Sequence, residues 1–209
     1  MGHPPSRARS VAALIALAAS AFASETVTLS THSSDETDPS VLDATVDFAV
    51  AGSTLTLTVT NLTPAVGGYN ITEVYLNGSA DITGLTLDPP VSGWAVFTSQ
   101  HVDGFGIFDF GLIDGVDANP ETIFPGETQV FTLDISGTGP FSEADFVRRN
   151  SAGGYLGEFS GTFDGNRPMV VAAKFVAGPG DDSAYGAVPE PGSLALLGLA
   201  VILAFRRRP

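Results

Sequence analysis

The sequence predicts an all-β fold, a single β-sandwich of jelly-roll or immunoglobulin-like type with one short helix. Three observations lead to this prediction. Apolar and polar residues alternate with a period of two in eight or more segments, as a strand with one buried face requires. Short segments rich in Gly, Pro, Asn and Asp separate them. No long segment with a helical period intervenes, so we expect the strands to pack as two antiparallel sheets.

The clearest predicted strand is STLTLTVT at residues 53–60, where Leu55, Leu57 and Val59 share one face and threonines share the other. The other predicted strands show weaker alternation or a run of β-branched and aromatic residues. They lie at residues 46–50, 71–77, 94–98, 108–112, 131–135, 155–163 and 169–176.

The one short helix is predicted at residues 142–149, SEADFVRR. Ser142 can cap its first turn, two carboxylates follow in that turn, and two arginines end it. These charges complement the helix dipole, so the segment is expected to be helical and to pack over one end of the sandwich.

The composition excludes several classes of function. Between residues 24 and 188, four basic residues face 22 carboxylates. Binding of nucleic acid by counterion release needs clustered Lys and Arg, so a nucleic-acid partner is excluded. The chain has no cysteine, which excludes a disulfide framework, a thiol nucleophile and thiolate metal sites.

Residues 1–23 predict a secretory signal peptide. Two arginines precede the apolar run VAALIALAA, and Ala21 and Ala23 then flank Phe22 in the small-x-small pattern that signal peptidase accepts. Cleavage is expected before Ser24. The alternative is an N-terminal membrane anchor, but nine apolar residues are too few to span about 30 Å of hydrocarbon.

The remaining chain divides into three predicted parts. Residues 24–176 form the β-sandwich domain, and residues 177–188 form a Gly- and Asp-rich linker with little to bury. Residues 189–209 hold a triplet, a short apolar run that predicts a transmembrane sorting helix, and a basic cluster. The triplet is Pro189, Glu190 and Pro191, the apolar run spans residues 193–205, and the cluster is Arg206, Arg207 and Arg208.

This last pattern resembles the PEP-CTERM sorting signal of Gram-negative bacteria. A helix over residues 193–205 would be about 20 Å long, a marginal membrane span, and its arginines would stay on the cytoplasmic side. The resemblance implies transient insertion in the inner membrane, cleavage by a membrane-embedded exosortase, and delivery to the outer envelope, the cell surface or the extracellular matrix. The alternative is an ordinary tail anchor with an incidental Pro-Glu-Pro.

An acidic loop is the candidate metal site. Its oxygen ligands stand at near-alternate positions on a Gly- and Pro-containing segment, and Ca²⁺ takes six to eight oxygens. The ligands are Asp114, Asp117, Asn119 and Glu121. The alternative is a solvated acidic loop, because the spacing does not match an EF-hand.

Trp94 is the candidate for stacking on a sugar, with a core aromatic of the sandwich as the alternative. No catalytic residue is predicted, because no nucleophile, metal-helix or phosphate-loop motif is present. His101 beside Asp103 is interpreted as an exposed loop histidine rather than a base. No cofactor is expected beyond the candidate Ca²⁺.

The sequence therefore predicts a non-enzymatic surface or matrix protein, with signal peptidase, an exosortase and extracellular polysaccharide as its partners. A Ca²⁺-assisted carbohydrate-binding module is the first alternative. A secreted hydrolase that uses two carboxylates is the second.

Overall fold

The chain folds as an all-β protein in the computed structural model. The residues that the structure describes are 24–29, 31–32, 42–65, 68–102, 105–115, 122–149, 155–156, 169–176 and 184–189. Within them the strands form two large antiparallel sheets and one two-stranded ribbon.

The first sheet has five strands in the order β1-β3-β4-β9-β6. These strands are β1 (Glu25–Thr28), β3 (Ala44–Ala51), β4 (Thr54–Asn61), β6 (Ile82–Leu87) and β9 (Thr128–Gly137).

The second sheet has six strands in the order β2-β13-β12-β5-β8-β7. They are β2 (Thr31–His32), β5 (Asn70–Leu76), β7 (Trp94–Val102), β8 (Gly106–Asp114), β12 (Met169–Val176) and β13 (Ala184–Pro189). The ribbon pairs β10 (Arg148–Arg149) with β11 (Tyr155–Leu156).

Side-chain alternation sets the register of the first sheet. In β4 the apolar residues are buried and the threonines between them are partly exposed, and the register pairs Phe48 of β3 with Leu57 of β4. Leu57 in turn lies opposite Phe131 of β9. Because a slip of one residue would turn every apolar side chain to solvent, the burial of one face specifies this pairing.

Both large sheets contribute to one continuous core. Phe48 and Phe131 from the first sheet and Phe110 and Phe175 from the second belong to the same cluster of buried side chains. Each fully buried side chain of this size contributes about 1.5–3 kcal/mol relative to exposure. The predicted arrangement of two packed antiparallel sheets is therefore confirmed.

The predicted helix at residues 142–149 is wrong. In its place the structure has a single 3-10 turn, Glu143–Asp145. The Ser142 N–H donates a hydrogen bond to Asp145 Oδ2 of this turn at 2.8 Å. The next residues, Phe146 and Val147, are both buried, and the Phe146 ring stacks on Phe48 with centroids 6.1 Å apart. Arg148 and Arg149 then form β10, which pairs with β11. Strand pairing and the burial of Phe146 therefore override the favourable helix ends.

The end of the predicted linker also differs from expectation. Within residues 177–188, the part from Ala184 onward belongs to β13, which pairs with β12 on one side and with β2 on the other. Its inward residues are too small to show an apolar alternation in the sequence.

In the part of the chain described here, no helix is long and apolar enough to cross a membrane. The predicted signal peptide at residues 1–23 and the predicted helix at residues 193–205 lie outside the described residues.

Candidate functional site

Strand β13 is the candidate functional element, because it carries the chain from the folded sheet into the C-terminal pattern. It is an interior strand: Gly186 and its neighbour Ala187 pair with β12 on one side and with Thr31 and His32 of β2 on the other. An interior strand has backbone hydrogen-bonding partners on both edges, so its peptide bonds are less accessible than those of a loop.

The inward face of β13 is built from small residues that fit against the core. Ala184 is fully buried. A Cβ placed on Gly186 would lie 2.9 Å from Cε2 of the Phe175 ring and 3.7 Å from Cβ of Leu29. A side chain at this position would force the buried Phe175 ring to shift, so the close approach of that ring favours glycine here.

The outward face of this region carries an ion pair. Lys174 of β12 donates to Oε1 of Glu73 on β5 at 2.7 Å, and its Nζ lies 5.9 Å from the centroid of the Tyr185 ring on β13. Burial lowers the pKa of Lys174, but the hydrogen bond and charge of Glu73, with smaller contributions from Tyr185, outweigh it. The pKa of Lys174 therefore lies above its ordinary value.

Tyr185 also joins the second, smaller apolar cluster of the fold. The centroid of its ring lies 6.5 Å from that of Tyr75, and the Tyr75 centroid lies 5.9 Å from that of Phe108. The contact with Tyr75 and the pairing to Lys174 tie β13 to β5 and β12, and Tyr75 continues the contact to Phe108 of β8.

Pro189 ends β13. It lies opposite Met169, and the register of β12 shifts between Met169 and Ala172. Proline has no backbone N–H to donate to the ladder, so it suits the terminus of a strand. The last described residue of β13 is therefore also the first residue of the Pro-Glu-Pro triplet.

Residues 187–208 match the family model of the PEP-CTERM protein-sorting motif. This chain carries a PEP-CTERM sorting motif. The sorting motif implies that the protein is exported, processed by an exosortase, and sorted to the envelope or cell surface. No curated protein and no solved structure matches the chain.

The sorting motif and the fold overlap. Residues 187–189 belong both to the motif and to β13. The other predicted processing residues lie outside the described residues: Ala21, Ala23, Glu190, Pro191, Arg206, Arg207 and Arg208.

The candidate Ca²⁺ site is described at one residue only. Asp114 stands at the end of β8, and its Oδ1 accepts from the Gly115 N–H at 2.7 Å. Asp117, Asn119 and Glu121 lie outside the described residues. Among the residues that are described, no three His, Cys, Asp or Glu side chains converge as a metal-binding group. Ca²⁺ binding by this loop stays a prediction.

Trp94 lies in the core rather than on the surface. Its side chain is 4% exposed, and its ring meets Phe131 edge-on with centroids 4.9 Å apart. A ring covered in this way presents no face to a sugar, so the structure supports the core alternative for this residue. His101 is exposed on β7, and Asp103 lies outside the described residues.

The residues that tie β13 to the sheet had little signal in the sequence. Lys174 is the single lysine of the chain, and its position opposite Glu73 in the register could have suggested a cross-strand ion pair. Tyr185 and Gly186 fall in a segment whose composition is typical of a linker, so only the three-dimensional structure shows their roles.

Proposed function

We propose that this protein is a structural or interaction protein of the cell surface or extracellular matrix, where it works beside exopolysaccharide and has no enzymatic activity of its own. The observation that supports this proposal most strongly is the sorting motif at residues 187–208, which continues directly from a folded β-sandwich. Cleavage at the motif would therefore release a domain that is already folded.

The charge of the exported part supports a role in solution or in a hydrated matrix. Between residues 24 and 188 the chain holds 22 carboxylates and four basic residues. A large net charge of one sign keeps a protein soluble and opposes non-specific association. It also favours a neutral or cationic polymer over a polyanion as the partner.

The non-enzymatic role rests on the sequence, which lacks the nucleophile and phosphate-binding motifs of common hydrolases and transferases. The Ca²⁺-assisted carbohydrate-binding alternative would need aromatic residues other than Trp94, since that ring is buried.

The sorting step is tested by substituting the motif without disturbing the sheet. Glu190→Ala combined with Pro191→Ala changes the motif and leaves Pro189 at the end of β13. In a Gram-negative host with an exosortase, we expect this variant to remain uncut in the inner membrane, because the enzyme no longer recognises it. A matched control replaces Asp181 and Asp182 with alanine, and it should be processed like the wild type.

Cell fractionation followed by intact-mass measurement distinguishes the outcomes. Recovery of the motif variant at the cell surface with the wild-type mass contradicts the sorting proposal. The matrix role is tested separately by co-sedimentation of the released protein with neutral exopolysaccharide, and absence of binding contradicts that part.

A further inference from the structure

We propose that the outer edge of strand β7 is a self-association surface, on which a second copy of this chain adds its own β7 in the antiparallel direction. The six-stranded sheets of the two copies then join into one continuous sheet around a two-fold axis at Val96. This contact forms between folded domains, so it depends neither on the sorting motif nor on polysaccharide binding.

Among the described strands, β7 is the longest at the edge of a sheet. β1 has four residues, β2 has two, and the pairing of β6 is interrupted by a register shift near its start. β7 has nine residues, and in the part of the chain that the structure describes it pairs with β8 alone. An edge strand presents unpaired N–H and C=O groups, which form a template for another strand.

The start of the β7–β8 ladder shows which backbone groups of β7 face outward. The Gly115 N–H donates to the Gly93 carbonyl at 3.1 Å, so position 93 directs its backbone groups at the neighbouring strand. This direction alternates along an antiparallel pair. Positions 95 and 97 therefore also bond to β8, whereas positions 94, 96 and 98 direct their backbone groups away from it.

Two further hydrogen bonds agree with this alternation. The Trp94 N–H donates to the Val91 carbonyl at 3.2 Å, and the Thr98 carbonyl accepts from Gln100 Nε2 at 2.7 Å, so neither group is used in the ladder. Within the described residues, the Val96 N–H, the Val96 C=O and the Thr98 N–H are then the outward groups that remain available to a partner strand.

These backbone groups complement the same groups of a second copy. With Val96 opposite Val96 of the second copy, each N–H donates to the carbonyl of the other. In this register Thr98 lies opposite Trp94 of the second copy, and its N–H meets that carbonyl, which can accept more than one hydrogen bond. The pairing is two-fold symmetric, as a closed contact between identical chains requires.

The side chains on the outer face of β7 fit the same register. Phe97 is 41% exposed, which is high for a large aromatic residue within a strand. In the pairing around Val96, Phe97 lies opposite Ala95 of the second copy, and the small side chain of alanine leaves room for the ring. Self-association therefore covers an aromatic ring that a single copy leaves in water.

The composition of β7 permits this contact in a strongly acidic protein. Residues 94–102, WAVFTSQHV, contain no carboxylate, lysine, arginine or proline, which are the residues that commonly keep edge strands apart. Ser99 has a left-handed backbone with φ of 54°, so the regular edge is confined to residues 94–98. Because this interface is small, association is weak, and it strengthens with salt as repulsion between the acidic domains is screened.

Site-specific disulfide cross-linking tests the register. The sequence has no cysteine, so one introduced cysteine reports on one position. The full-length Val96→Cys chain is oxidised on whole cells with diamide, which takes up two electrons and two protons as the two thiols join. Paired Cα atoms at the two-fold axis lie about 5.5 Å apart, within the range of a disulfide.

Thr98→Cys is the matched control. Thr98 is more exposed than Val96, so random collision would favour cross-linking at position 98. In the proposed register, however, its two copies lie about 13 Å apart along the strands, too far for a disulfide.

We expect Val96→Cys to run as a covalent dimer on a non-reducing gel and Thr98→Cys to stay mostly monomeric. A monomeric Val96→Cys chain contradicts the proposal, and so does equal cross-linking of Thr98→Cys. Whole-cell oxidation acts on the processed and the unprocessed chain alike, so a failure of sorting is seen separately from a failure of self-association.

Sedimentation equilibrium of the exported protein provides a second measurement without cysteine. The average mass of the wild type should rise with concentration, and more steeply at high salt. Phe97→Lys should raise the dissociation constant at least about tenfold, although lysine lowers the net negative charge. Val130→Lys is the matched control, because Val130 is 48% exposed on β9 of the other sheet, and it should leave the constant unchanged. A wild type that is monomeric at millimolar concentration, or equal constants for the two lysine variants, would overturn the proposal.

Discussion

Replacing Asn61 with alanine should strongly destabilise the domain, because this buried side chain makes four hydrogen bonds. Asn61 is fully buried at the end of β4, where it bonds to Tyr69, the residue before β5, and to Ile123, which bridges Ile71 of β5. Its Nδ2 donates to the carbonyls of Tyr69 at 2.8 Å and Ile123 at 2.9 Å. Its Oδ1 accepts from Thr63 twice, from the backbone N–H at 3.1 Å and from Oγ1 at 2.7 Å.

The expected magnitude follows from these four hydrogen bonds. Each contributes about 1 kcal/mol, and a buried partner left unsatisfied costs about 1–3 kcal/mol. Thr63 Oγ1 also donates to the Tyr69 carbonyl at 3.0 Å, which retains part of that interaction. The loss is therefore about 3–5 kcal/mol, a large share of the roughly 5–15 kcal/mol that stabilises a typical domain.

Urea unfolding of the released protein measures this loss as a lower midpoint with an unchanged slope. The melting temperature should fall by about 10 °C, at roughly 2–4 °C per kcal/mol for a domain of this size. Asn70→Ala is the matched control, because Asn70 is only partly buried on β5 and should cost far less. A loss below about 1 kcal/mol for Asn61→Ala would refute the reasoning, since the four hydrogen bonds would then contribute little to holding Tyr69 and Ile123 at the end of β4.

Three further predictions concern charged residues. Lys174→Met should cost about 1 kcal/mol at neutral pH. Because the pKa of Lys174 is raised by Glu73, this contribution is complete below the ordinary value of 10.5 and is lost as the pH rises through the folded-state pKa. If the difference in urea midpoint between the wild type and Lys174→Met is the same at pH 8 and pH 12, this prediction is contradicted. Glu143→Ala should lower the free energy of unfolding by about 1–2 kcal/mol, because Glu143 Oε1 accepts from the Val50 N–H at 2.8 Å. Glu143→Gln keeps an acceptor oxygen and should cost less. Equal urea midpoints for the two variants would contradict this prediction. If the acidic loop binds Ca²⁺, the metal should raise the melting temperature of the wild type but not that of Asp114→Asn. A wild-type melting curve that is unchanged in millimolar Ca²⁺ would contradict Ca²⁺ binding.

The strands with bulky inward residues could be predicted from the sequence. In β3 and β4, bulky residues such as Phe48 and Leu57 alternate with polar or small residues, and the alternation predicts both the strand and its buried face. The sorting motif was also readable, because its proline triplet and apolar run are local patterns that need no tertiary information.

The remaining differences come from tertiary contacts that a local pattern does not contain. Strand β13 has Ala184 and Gly186 on its inward face, because the Phe175 ring already fills the space beside Gly186. Small residues of this kind also characterise linkers. Trp94 could lie on the surface or in the core by its sequence context, and its contact with Phe131 places it in the core.

The candidate helix shows the same limit. Its end residues favour a helix, but the contact of Phe146 with Phe48 determines the path of the chain. Local preferences are worth tenths of a kcal/mol per residue, whereas burial of an aromatic side chain contributes about 1.5–3 kcal/mol. Where the two disagree, burial decides the structure.

The central claim is that this protein is an exported exosortase substrate that carries its sorting motif directly after a β-sandwich domain. The most direct test is the intact mass of the protein recovered from matched cells with and without the exosortase. With the enzyme, the mass should correspond to a chain that begins at Ser24, ends between Pro189 and Gly192, and lacks the terminal arginines. Without it, the chain should retain Arg208 and stay in the inner membrane. The same mass in both cells, or a surface-exposed chain that still carries Arg208, would contradict the claim.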